Sequence, residues 1–225
     1  MNKLRSDLPP LPPRIAALPI DERGYSVPWF VQWLTPDNQP SQPGIGRPEF
    51  RMADAHKIVA AVKLGLCWVC GQPLGAIKVA VIGPMCCISR TTAEPPSHND
   101  CAEFSVKACP FLTKPQMVRR EDDFTKAHKG NTAGISIDRN PGVLALWAMK
   151  DYTRFRDHRG RVLFRVGDPL WVKWFALGKP ATRQQVMESI GSGLPALTNA
   201  CQGIPEELAA LAKAVEAINP LLPPP

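Results

Sequence analysis

Two short motifs constrain this chain more than any other feature. Cys67 and Cys70 stand in C-W-V-C-G, and His98 and Cys101 stand in S-H-N-D-C. A two-residue gap lets both thiolates of the first pair reach one ion around a tight turn, where Gly71 is free to take the positive φ such a turn often needs. The second pair is three residues apart on an expected helix, so both side chains share a face. Three thiolates and an imidazole in tetrahedral array suit Zn2+. With all four positions filled by protein there is no room for a reactive water, and the expected zinc is structural. The N-terminus of the second helix should also favour the Cys101 thiolate.

The chain has seven cysteines, so the ligand set has competitors. Cys86, Cys87 and Cys109 are the alternatives for the second half of the site. Cys109 lies two helical turns beyond Cys101, roughly 12 Å along the axis, too far for one ion to hold both, and is expected in the core. Cys86 and Cys87 alternate across an expected strand, so one of them faces the core. Cys201 is expected to serve packing.

The segments between the motifs set the architecture. Proline recurs from Leu8 to Pro19 (LPPLPPRIAALP), which favours polyproline II and predicts an arm over residues 1–25 lying on the surface. Ser26 to Leu34 reads as a strand, and Thr35 to Pro48 as a loop. A helix fits Ala53 to Leu64, with Ala55, Ile58, Val59, Val62 and Leu66 at helical spacing and Gly65 at its end. Ala76 to Ile82 and Met85 to Ser89 read as a hairpin turning at Gly83 and Pro84. Ser97 is the expected N-cap of a helix from His98 to Ala108. Knuckle, hairpin and a helix with two ligands in its first turn resemble the order of a treble-clef zinc finger, within an expected zinc-binding region over residues 26–118.

Beyond it, Arg119 to Thr132 is a charged connector. Gly134 to Asp138, Val143 to Tyr152 and Arg161 to Val166 read as three strands of one antiparallel sheet. Asp168 and Pro169 look like the start of a helix ending at Gly178, and Thr182 caps another through Ile190. Pro205 to Ile218 is an alanine-rich amphipathic helix, and Pro220 to Pro225 should fray. The expected fold class is α+β: a treble-clef-like zinc finger fused to a small antiparallel sheet with C-terminal helices over residues 133–219, packed with the zinc region as one domain.

No apolar run reaches the roughly 18 residues of a membrane span, and Met1 to Pro13 has no apolar stretch of the secretory kind. The expectation is a cytoplasmic protein without a membrane partner, in which cysteines are thiols or metal ligands before disulfides. Lys and Arg exceed Asp and Glu by 27 to 20, a formal charge of +7. The excess gathers between Lys150 and Arg165. A basic loop flanked by Tyr152 and Phe155 could follow the phosphate backbone of DNA or RNA, with Arg154, Arg156, Arg159 and Arg161 as the contacts. The arm could instead wrap a protein partner, which would make the chain a scaffold.

A third function class is enzymatic. Cys101-Ala102-Glu103 has the C-x-E form of zinc deaminases, in which the glutamate shuttles protons. Those enzymes place their P-C-x-x-C pair after that element, whereas C-W-V-C comes first here, so the sequence leans away from catalysis. His56, His128 and His158 have no paired carboxylate, and there is no Gly-rich phosphate loop, G-x-S-x-G or H-E-x-x-H. Of the six tryptophans, Trp29, Trp33, Trp147, Trp171 and Trp174 are expected in the core, while Trp68 either covers the metal or protrudes to meet a partner.

Four blocks carry a resemblance. Cys67 to Gly71 (CWVCG), Gly83 to Cys86 (GPMC), Glu94 to Ala102 (EPPSHNDCA) and Cys109 to Leu112 (CPFL) resemble those shared by a group of uncharacterised bacterial and phage-associated proteins. Weaker similarity continues through Arg139-Asn140-Pro141-Gly142 and Val166-Gly167-Asp168-Pro169. The resemblance implies a phage or mobile-element setting and lends no catalytic residue. Its blocks keep Cys86 and Cys109 open as ligands.

Overall fold

The computed structural model describes residues 2–113 and 141–225. The expected connector, the expected strand over Gly134–Asp138, and His128 lie outside the described residues. Within them the chain is mixed α+β, with seven helices and three small antiparallel sheets. The elements run α1 (Pro13–Ala16), β1 (Val31–Leu34), β2 (Pro40–Ser41), β3 (Arg47–Ala53), α2 (Ala55–Leu64), β4 (Lys78–Ile82), α3 (Pro84–Ser89), β5 (Thr91–Thr92), α4 (Asn99–Ala108) and α5 (Pro110–Thr113). They continue with β6 (Val143–Met149), β7 (Tyr152–Arg156), β8 (Val162–Val166), β9 (Pro169–Ala176), β10 (Lys179–Pro180), α6 (Arg183–Ala200) and α7 (Pro205–Ala217).

The central strand is β6, every residue of which is buried. It sits in the sheet β10-β9-β6-β4, so both its faces need cover. On one face Ala145, Trp147 and Met149 pack with Met85, Cys87 and Ile88 of α3 and with Val186 and Ile190 of α6. On the other, Leu144, Leu146 and Ala148 pack with Ala102 and Val106 of α4 and with Phe175 of β9. The helix that carries Cys101 is thus fastened to the main sheet by its own apolar side.

Several expected elements take other forms. Met85 to Ser89 is helical rather than the second arm of a hairpin: Gly83 is the N-cap and Pro84 the first-turn proline, while β4 pairs with β6 along Lys78↔Met149 to Ile82↔Ala145. The expected single sheet is divided, since β6 belongs to the four-stranded sheet and β7 and β8 join β5 in another. Pro169 to Ala176 is a strand. Its Trp, Val and Phe residues pair with β6, and the Leu177-Gly178 turn, at φ 53° and 75°, returns the chain into β10. The first strand covers only Val31–Leu34 of the expected span.

Helix α2 ends at the expected Leu64, with Gly65 at φ 63° closing it, and starts two residues later than expected, after Asp54, whose side chain accepts from the His56 N–H. Its expected apolar face is not buried as a unit: Ala61 alone is fully buried, and Val59 is 62% exposed. Helix α6 starts on the expected Thr182, in a capping box with Gln185, and runs past Ile190 to Ala200.

The C-terminus does not fray. The Trp174 indole N–H donates to the Leu221 carbonyl at 2.7 Å, Arg183 donates to the Pro223 carbonyl at 3.0 Å, and Leu222 is buried. Truncation after Ile218 should therefore cost roughly 3 kcal/mol, from lost apolar burial and an orphaned buried indole N–H. Urea unfolding measures this, and an unchanged midpoint would contradict the docking.

Candidate metal centre and basic hairpin

The chain leaving α2 folds directly into the knuckle. Leu66 and Pro73 form a bridge, the Cys67 N–H donates to the Gln72 carbonyl at 2.8 Å, and the Gly71 N–H donates to the Cys67 carbonyl at 2.8 Å. Gly71 has φ 74°, and a Cβ there would stand 2.6 Å from the Trp29 ring, so both the turn and the packing require glycine. The second half is held by β4. Ser97 exchanges two 2.8 Å backbone bonds with Val79, which places His98, not Ser97, as the N-cap of α4.

His98 makes no side-chain cap because its imidazole is turned elsewhere. Its Nε2 is 2.9 Å from the Pro73 carbonyl, and a carbonyl only accepts, so Nε2 carries the proton. Nδ1 is left with a free lone pair, 3.4 Å from Cys70 Sγ and 4.0 Å from Cys101 Sγ. A hydrogen bond from the other ring nitrogen to a carbonyl fixes the tautomer of metal-binding histidines in this way. The candidate ligand atoms of Cys67, Cys70, His98 and Cys101 all lie within 4.8 Å of one another, and all four residues are buried. A tetrahedral zinc site with three sulfurs and one nitrogen has S···S edges of about 3.8 Å and S···N edges of about 3.5 Å. The donors therefore need only small adjustments to close on one ion.

Electrostatics point the same way. Left to themselves, three adjacent thiols cannot all ionise. The Cys101 and Cys70 thiols, followed by the backbone N–H groups of Cys70 and His98, hold Cys67 far below the ordinary thiol range. Cys101 is driven far above it by the neighbouring Cys67 and Cys70 and by burial. The expected lowering of Cys101 by its helix is thus reversed among the bare thiols, and a divalent cation is what would let all three be thiolates together.

The competing cysteines stand apart from this cluster. Cys86 is pushed up to about 11, chiefly by burial and also by the Glu94 charge. Cys109, the C-cap of α4, is raised by the same two causes. Cys87 packs in the core below β6. Glu103, the proton shuttle of the enzymatic alternative, pairs with Lys107 at 2.6 Å and is not one of the clustered donors. Trp68 does not protrude: it is 4% exposed, with its ring stacked on Phe30 at 4.7 Å.

No local sequence signal marks the lid over this cluster. Ile15 of α1, 1% exposed, packs with Cys67, Val69, Cys70 and Cys101, and Leu11 and Leu18 flank it. Arg14 reaches Asp100, next to Cys101 of the cluster, at 2.9 Å. The proline-rich segment is thus packed over the chain's own cysteines.

The basic loop is the hairpin β7–β8. Arg154, Arg156 and Arg159 are exposed, and the Arg156 guanidinium also donates to the Gly160 carbonyl. Arg161 differs from the other three: its guanidinium holds Asp157 at 2.8 Å. Although desolvation pushes the Asp157 carboxyl up, the backbone and side chain of Arg161 outweigh it and bring the pKa to about 2. Arg165 stacks over Phe155, so that ring is covered rather than free. No helix among the described residues is long and apolar enough to cross a membrane. No family model, curated protein or solved structure matches the chain.

The lid yields a kinetic expectation. Ile15→Asp, which would bury a carboxylate against the thiolates, should speed transfer of bound zinc to a coloured chelator by about tenfold or more, with one zinc per chain still taken up. A transfer rate equal to that of the unaltered protein would show that the segment does not guard the site.

Proposed function

We propose that this protein is a zinc-stabilised module that binds nucleic acid, with Cys67, Cys70, His98 and Cys101 holding one structural Zn2+. The observation that carries the metal half is the closed set of four buried donors with the His98 tautomer already chosen by Pro73. Four protein ligands leave no open coordination position, which speaks against hydrolytic chemistry at this ion. A treble-clef likeness is supported by a knuckle followed by a helix bearing two ligands. The strand and short helix between them, in place of a hairpin, weaken it.

The nucleic-acid half is supported by the exposed guanidinium groups of Arg154, Arg156 and Arg159, none of which has an ion-pair partner among the described residues. Arg161 is better read as the group that shapes the turn, because its charge is already met by Asp157. The phage or mobile-element setting rests on the block resemblance alone. The scaffold alternative loses support because the arm offered for it lies over the metal centre.

Fluorescence anisotropy of labelled DNA and RNA checks the proposal. The triple variant Arg154→Glu, Arg156→Glu, Arg159→Glu should bind at least about tenfold more weakly, with a shallower salt dependence. Equal affinity for the two proteins would refute the role of the hairpin.

A further inference from the structure

Helix α2 and strand β7 meet at a surface groove that the hairpin arginines alone do not account for. Val62 and Lys63 line one side and Tyr152 and Arg154 the other, around a volume of about 330 Å3. Lys63 and Arg154 are both exposed, and neither has an ion-pair partner among the described residues. Several other cations of the chain are paired where they stand: Arg14 with Asp100, Arg23 with Asp21, Arg51 with Glu49 and Arg90 with Asp168. Two unneutralised cations from distant parts of the sequence, brought to one groove, make a site for an anion.

We infer that this groove seats a backbone phosphate of a nucleic-acid strand, held between Lys63 and Arg154, with Tyr152 and the apolar side of α2 against the adjoining sugar or base. The inference rests on the nucleic-acid function proposed above and extends its surface from the hairpin to α2. Two features favour a strand over an acidic protein. Strand alternation puts Tyr152, Arg154 and Arg156 on one side of β7, with the two arginines about 7 Å apart, so the cations run in a line away from the groove. Val59, 62% exposed, stands one helical turn before Val62 and Lys63, and supplies an apolar surface beside the cations as a nucleoside requires. Tyr152 is half-buried, with its ring braced in a tilted contact 5.9 Å from Phe164, so it is held in place from behind.

The metal centre has a part in this. The helix that carries Lys63 ends at Gly65, and the Leu66–Pro73 bridge joins that end to the knuckle immediately before Cys67. Closing the knuckle on an ion therefore fixes one wall of the groove.

The test uses the full zinc-loaded chain and a labelled single strand, with a duplex of the same sequence alongside, titrated over a range of salt concentrations. Lys63→Ala and Arg154→Ala should each weaken binding and each lower the slope of log affinity against log salt by about one. Tyr152→Leu should weaken binding without changing the slope, since it removes no charge. All three positions are exposed or half-buried, and matched thermal unfolding verifies that the variants fold. If Arg156→Glu with Arg159→Glu abolishes binding while Lys63→Ala alters neither affinity nor slope, the groove inference is overturned and the hairpin function stands. If the unaltered protein binds no strand at any salt concentration, the proposed function fails and this inference fails with it. Displacement of the strand by polyglutamate as readily as by an unlabelled strand would overturn the inference in favour of an acidic protein partner.

Discussion

Three thiols and an imidazole forced together out of water are the constraint on which the rest of this structure depends. Their donor atoms lie within 4.8 Å of one another, and none of the four residues has appreciable access to solvent. Such a cluster is unfavourable as bare thiolates and favourable around a divalent cation, so binding of an ion there would be coupled to folding. The surroundings are built to match. Pro73 selects the imidazole nitrogen, Gly71 admits the Trp29 ring, Val79 pins Ser97, and Ile15 closes the top.

The centre also joins parts of the chain that would otherwise have little in common. Cys67 and Cys70 follow α2, whereas His98 and Cys101 open α4, whose apolar side packs on β6 through Ala102 and Val106. An ion held by both pairs would tie the knuckle and α2 to the main sheet. The only fully buried residue of α2 is Ala61, so this helix has little packing of its own to rely on. A helix secured at one end and otherwise lightly packed is suited to presenting side chains such as Lys63 outward.

What could be read from the sequence followed the range of the physics involved. The four clustered donors were legible because C-x-x-C and H-x-x-C spacing is decided within one turn of chain. The C-terminal end of α2 was legible from Gly65, and the start of α6 from Thr182, because caps are also local. Pro169 misled for the same reason: Asp168-Pro169 is a sound helix start, yet the pairing of Trp171, Val172 and Phe175 with β6 decides the outcome. Met85 to Ser89 misled in the opposite direction, since β4 finds its partner in β6, far along the chain, and leaves the next segment free to coil. Nothing local marks Ile15 as the cover of the cysteines, or Leu222 as part of the core. The Arg161–Asp157 pair, by contrast, is a short-range contact that charge spacing alone could have suggested.

The most direct measurement is X-ray absorption at the zinc edge on the purified full chain, with metal content determined on the same sample. One zinc per chain with three sulfurs at about 2.3 Å and one nitrogen at about 2.0 Å would bear out the closed structural centre. Protein that is folded without stoichiometric zinc, or a first shell of four sulfurs or one containing a water oxygen, would contradict it.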